Sequence, residues 1–259
     1  MRVSTSTAPR VRGVVALGIT GLLLTSCTAG GDGTGEEAAT VGPESSPSAP
    51  AEPTVAPLRQ AREGWKVFTD PGRLVSFELP GEWVVQPLQP DPDAYAPDSL
   101  HYAVRTPEGT TAAELHTGIL TPDAPCDDTR LTPYYVIGSE PLELTGAPPV
   151  DADIEPRFVI RLITGFRFFG SYGVTDQQGG ADGLACSLPT TIQGSEALGR
   201  FSFGDLELLT PKAPANTGPQ TVSFGTIGEA EAYYDTPEFA TIRDMIGSLQ
   251  VVGAAPATG

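Results

Sequence analysis

Basic residues are scarce in this chain. Lysine occurs only twice in 259 residues, at Lys66 and Lys212, and 15 lysines and arginines together face 32 aspartates and glutamates. The formal net charge is therefore -17. An acidic surface repels phosphate backbones, so no nucleic acid is expected as a partner. It also repels anionic headgroups, so charge alone would not dock the chain on a bilayer. The ordinary consequence of such a charge is solubility.

Residues that carry chemistry are also few, with two histidines and three cysteines. No His-Glu-x-x-His pair offers a zinc site, no Gly-x-Ser-x-Gly or Ser-x-x-Lys offers an acylating serine, and no Cys-x-x-Cys offers a redox centre. The acidic loop Asp91, Asp93, Asp98 fails as an EF-hand, because Ala96 and Tyr102 stand where glycine and glutamate are required. Asp127-Asp128, and Asp151, Asp153 and Glu155, read as solvated loop charge. Gly179 to Gly183 has no strand-to-helix context and reads as a mobile loop, not a phosphate cradle. The expectation is no catalytic residue, no metal and no cofactor. Nor does the chain show an internal repeat.

What the chain does carry is an address. Arg2, Arg10 and Arg12 precede an uncharged, mainly apolar run from Gly13 to Leu24. That run has the length of a signal-peptide core and is short for a membrane-spanning helix. Leu24-Thr25-Ser26-Cys27 follows directly and resembles the bacterial lipobox: a large apolar residue, two small ones and a cysteine. The resemblance implies cleavage before Cys27 and diacylglycerol on its thiol, which anchors the chain to the cell membrane on the extracytoplasmic face. Two acyl chains on one residue hold far better than one. Loss of residues 1–26 removes three arginines and no acid, which takes the charge from -17 to -20.

Residues 28–60 are dominated by Gly, Ser, Pro, Ala and Glu, with no apolar periodicity. Such a segment buries too little surface to fold. As a coil it would reach roughly 30 Å, enough to lift a domain off a membrane. The expected organisation is a signal peptide at 1–26, a lipidated cysteine and tether at 27–62, a globular domain at 63–252, and a disordered tail at 253–259. The stretch 211–220 is expected to be a surface loop.

Strand signals dominate the domain. Val75, Phe77 and Leu79 alternate with Ser76 and Glu78, as in a half-buried strand. Pro80-Gly81 turns the chain into Trp83-Val84-Val85. A hairpin is expected over 101–120 around Pro107-Glu108-Gly109, then a strand from Tyr134 to Leu144 that can break at Pro141. Arg157–Ile163 and Phe166–Val174 flank Gly165 as a second hairpin. Shorter strands are expected at Gly199–Phe203 and Thr221–Ile227. Thr236, Pro237 and Glu238 open a helix with Phe239, Ile242, Ile246 and Leu249 on one face. A weaker helix is expected at 229–234 or just before Phe68. The class is α+β, a mostly antiparallel sheet with few flanking helices and the C-terminal helix packed on it.

Two segments, VSFELPGEWVV and AYYDTPEFATIRDMIGSL, resemble the opening strand pair and closing helix of PsbP-like domains. The resemblance covers about thirty residues at the two ends and leaves 86–226 unmatched. It implies an α-β-α sandwich, a domain common in actinobacterial lipoproteins. The family includes assembly factors and small binding proteins and has no common catalytic site.

With Cys27 given to lipid, Cys126 and Cys186 remain. Outside the cytoplasm they can pair, which would stabilise the fold by roughly 4 kcal/mol on a chain-entropy basis; the alternative is two separate buried thiols. His101 and His116 fall on the polar face of the first hairpin with Glu114 beside His116. They read as two exposed histidines, although they could approach across the strands. On the Phe166–Tyr172 strand Phe166 and Phe168 share a face and Phe169 takes the other. The expected function is a membrane-tethered, non-catalytic lipoprotein that binds a partner protein or cell-envelope component. The alternatives are a lipid or small-ligand carrier with an apolar groove beside Phe166–Tyr172, and a hydrolase using His101 or His116.

Overall fold

The computed structural model describes residues 61–120, 130–144, 152–212 and 222–251. Strands β1 (Trp65–Thr69) and β2 (Val75–Pro80) are followed by β3 (Val84–Pro87), β4 (His101–Arg105), β5 (Thr111–His116), β6 (Thr132–Pro141), β7 (Arg157–Thr164) and β8 (Phe168–Thr175). Five short strands come next: β9 (Leu184–Ala185), β10 (Leu188–Pro189), β11 (Ile192–Gln193), β12 (Arg200–Gly204) and β13 (Leu208–Leu209). Then come β14 (Val222–Phe224), helices α1 (Ile227–Tyr234) and α2 (Pro237–Gly247), and β15 (Gln250–Val251).

The main sheet runs β3-β4-β5-β12-β8-β7-β6-β9, with β11 beside β12 and β14 beside β8. A smaller sheet runs β1-β2-β15. Every pairing among the described residues is antiparallel. The expected class, a mostly antiparallel sheet with few helices, is what the chain adopts.

Alternation decides which face meets which layer. Phe158, Ile160 and Leu162 of β7 project to one side, and Phe158 and Ile160 join Tyr172, Val174 and Phe203 in the main core. Val75, Phe77 and Leu79 of the small sheet and Phe239, Ile242, Met245 and Ile246 of α2 pack into the same core. Phe77 and Phe203 bring their ring centroids to 4.8 Å, and the Tyr172 and Phe239 rings meet edge-on at 5.2 Å. On the other side of the sheet Ile163 and Phe169 pack under the β10–β13 ribbon through Leu188 and Leu209. Gly204 marks the closest approach of β12 to β8, where a β-carbon would collide with the Tyr172 carbonyl oxygen.

Helix α2 starts as its sequence dictates. The Thr236 hydroxyl accepts the Phe239 N–H at 3.2 Å, and Pro237 occupies the first helical position. The second helix is α1, at the 229–234 segment. The residues before Phe68 form β1 instead, because β2 offers them a free edge. Glu78 departs from the expected alternation: it is buried, with Arg62 Nε 3.0 Å from its carboxylate. β2 and β3, adjacent in sequence, do not pair. β2 lies between β1 and β15, while β3 is the edge partner of β4. Among the described residues no helix is long and apolar enough to cross a membrane.

Candidate functional site

The β4–β5 hairpin turns at 107–109, where Gly109 takes φ +83°. That register places His101 directly opposite His116, with Glu114 two residues away on the same face of β5. Tyr102 and Val104 take the core face, which leaves the histidines on the opposite one. β12 extends that face with Ser202, paired with His116, and Gly204, paired with Glu114.

This face is not open to solvent. The loop between β3 and β4 lies over it and is tied down by Ala96 N–H donating to Gly118 O at 2.7 Å and Leu120 N–H to Ala94 O at 2.9 Å. The Tyr95 ring stacks on His116 at 5.4 Å and meets His101 edge-on at 4.4 Å. Both histidines are consequently buried, at 7% and 9% exposure. The expectation of exposed histidines is therefore corrected. The strand pattern gives the right face, but period-2 alternation carries no information about a loop that folds back over it.

The four polar side chains form a chain of hydrogen bonds. Ser99 Oγ lies 2.6 Å from His101 Nε2, His101 Nδ1 lies 2.8 Å from His116 Nδ1, and His116 Nε2 lies 3.2 Å from Glu114 Oε2. A carboxylate oxygen accepts, so His116 Nε2 carries the hydrogen of that contact; in the neutral tautomer of His116 its Nδ1 is then bare. In that tautomer His101 Nδ1–H donates to His116 Nδ1, and His101 Nε2 accepts from the Ser99 hydroxyl. Burial, and then the neighbouring His116, push His101 down to about 4, which keeps its ring neutral near pH 7.

An open cleft of about 230 Å³ adjoins this chain, lined by Tyr95, Glu114, His116, Ser202, Asp205 and Glu207. The Tyr95 hydroxyl donates to Glu207 Oε1 at 2.8 Å. Burial and that carboxylate raise the phenol well above its ordinary value. Asp205 is fully enclosed. Its Oδ1 accepts from Ser171 Oγ at 2.6 Å and from Tyr172 N–H at 2.9 Å, while Oδ2 has no hydrogen-bond partner among the described residues. Burial pushes its carboxyl up to about 8, so the acid is mostly protonated at neutral pH. Among the described residues no lysine or arginine lines the cleft. It presents carboxyl oxygens and hydroxyls, a set suited to a cation or a hydrogen-bond donor.

No protein family model, no curated protein and no solved structure matches this chain.

The remaining expected residues are dispersed. Cys186 is disulfide-bonded, which excludes a free thiol there. Cys126 and Cys27 lie outside the described residues, as do Asp127, Asp128 and Asp151. Among the described residues no three His, Cys, Asp or Glu side chains gather as a metal ion would require. Asp91 closes a local turn by accepting the Asp93 N–H at 3.1 Å. In the aromatic strand Phe169 and Tyr172 are buried, Phe168 packs edge-on against Tyr135, and Phe166 is 84% exposed. Tyr95, Glu207 and Asp205 escaped the sequence reading. Their partners lie more than a hundred residues away for Tyr95–Glu207 and 34 for Asp205–Ser171, and no local spacing encodes such a meeting.

Proposed function

We propose that this chain is a non-catalytic lipoprotein, held by lipid on Cys27 at the extracytoplasmic face of the cell membrane, that binds a partner protein or envelope component. The lipobox resemblance and the tether support the address. The sheet with α2 packed across it is compatible with a PsbP-like sandwich, and a Cys126–Cys186 bond fits an oxidising compartment. The observation that carries the binding role is the cleft, where Glu114 and Glu207 flank Tyr95 with no lysine or arginine among the described lining residues. Its volume suits one amine- or guanidinium-bearing group presented by the partner. Agmatine, which carries both groups, tests this by calorimetry on the full chain. Saturable binding that weakens at least tenfold in a Glu114→Gln, Glu207→Gln variant is expected. Absent binding, or equal binding by the variant, would contradict it.

A hydrolase is the second reading, favoured by the hydrogen-bond chain ending on Ser99. In it Ser99 is the nucleophile, His101 its base, and His116 with Glu114 the orienting pair. Covalent labelling by a fluorophosphonate, lost in Ser99→Ala, would select this reading over the first.

A further inference from the structure

Arg161 stands in the middle of β7 and is 3% exposed. One guanidinium nitrogen, Nη2, donates to the Pro189 carbonyl, which also accepts the Thr175 hydroxyl at 3.0 Å. Nε has no partner. No carboxylate of the described residues lies within ion-pair distance of Arg161. Burial lowers the guanidinium to about 10, so it still carries its charge at neutral pH. A buried cation without a counter-charge is heavily penalised, and buried polar atoms left unpaired are rare enough to require a cause.

The cause is visible in the surroundings. Arg161 lines an open pocket of about 190 Å³, roughly six water volumes, on the face of the sheet away from the main core. Arg157, four residues earlier on the same face of β7, lines it too, about 13 Å away along the strand. Arg157 is held by Nε donating to Ser139 Oγ at 2.6 Å and likewise has no carboxylate partner among the described residues. Tyr134, Ser139, Thr175, Gln177 and Gln178 supply the rest of the polar lining among the described residues. On a chain of net charge -17, two arginines facing one pocket with no acid among its described lining residues form a local inversion of sign.

We infer that this pocket binds a single oxyanion group, a carboxylate or a phosphate, held by the Arg161 guanidinium and closed at its mouth by Arg157. Planar guanidinium forks match the oxygen spacing of both groups, which is the chemistry that favours arginine over lysine here. This site is independent of the acidic cleft and of the proposal made for it.

The test is titration of the full chain with inorganic phosphate and, separately, with acetate, at ionic strength held constant with chloride. Saturable binding of at least one of the two is expected, and the tighter one identifies the source chemistry. Arg161→Met should weaken it at least tenfold while the ligand-free variant melts no lower than the parent, because the uncompensated charge is gone. A purely structural arginine would instead give a lower melting temperature. Arg157→Gln, at a partly exposed position, should weaken binding about threefold or more without affecting folding, and it serves if Arg161→Met does not fold. No saturable binding of either anion, or unchanged affinity in Arg157→Gln and Arg161→Met, would overturn the inference.

Discussion

Asp205 and His101 are the two residues whose burial should be readable in solution. The folded-state pKa of Asp205, about 8, stands above the ordinary carboxyl value near 4. Its contribution to stability is therefore complete below about pH 4 and is lost as pH rises through about 8. Asparagine mimics the neutral acid and keeps an acceptor for Ser171 and Tyr172. Relative to Asp205→Asn, the parent should lose roughly 3 kcal/mol between about pH 5 and pH 7.5, measured by denaturant midpoints. His101 has the opposite sign. Its pKa is depressed to about 4, so its contribution is present above about pH 6.5 and lost as pH falls through 4. Its ring proton resonances should stay still from pH 7 to 5.5, and movement across that range would mean the Tyr95 loop does not cover it.

Elements were the most legible scale in the sequence. Thr236-Pro237-Glu238 and the spacing of Phe239, Ile242 and Ile246 specify α2 completely, since cap and stripe are both local. Removing the cap with Thr236→Ala should cost about 1 kcal/mol. Phe239→Ala, which empties a site shared by Tyr172, Tyr233 and Phe158, should cost about 3–5 kcal/mol. Chemical denaturation checks both. The two hairpins were equally clear, because Gly109 and Gly165 punctuate alternating runs. The short strands β9, β10, β11, β13 and β15 escaped, being two residues each, below any periodicity. So did the separation of β2 from β3, which depends on β15 arriving from the far end of the chain to claim the second edge of β2. At the site, register alone brings His101 to His116, but Tyr95, Glu207 and Asp205 belong to segments that only the tertiary fold unites.

At the scale of the whole molecule, the sheet joins two opposed electrostatic surfaces. Among the described residues no lysine or arginine lines the Glu114–Glu207 cleft, and no acid lines the Arg157–Arg161 pocket. A net charge of -17 therefore describes neither region. Cys186 fastens the segment following β9 through a disulfide. Peptide mapping without reduction should find Cys126 as its partner, and Cys126→Ser with Cys186→Ser should lower the melting temperature, by roughly 4 kcal/mol of stability for a loop of about sixty residues.

Native mass spectrometry of the detergent-extracted chain from its own host tests the central claim, a lipid-anchored binding protein, most directly. The expected species lacks residues 1–26, carries diacylglycerol on Cys27, and holds a bound partner or cationic ligand that the Glu114→Gln, Glu207→Gln variant releases. A chain that keeps residues 1–26 without lipid, or a lipidated chain whose bound species is indifferent to those substitutions, would contradict it.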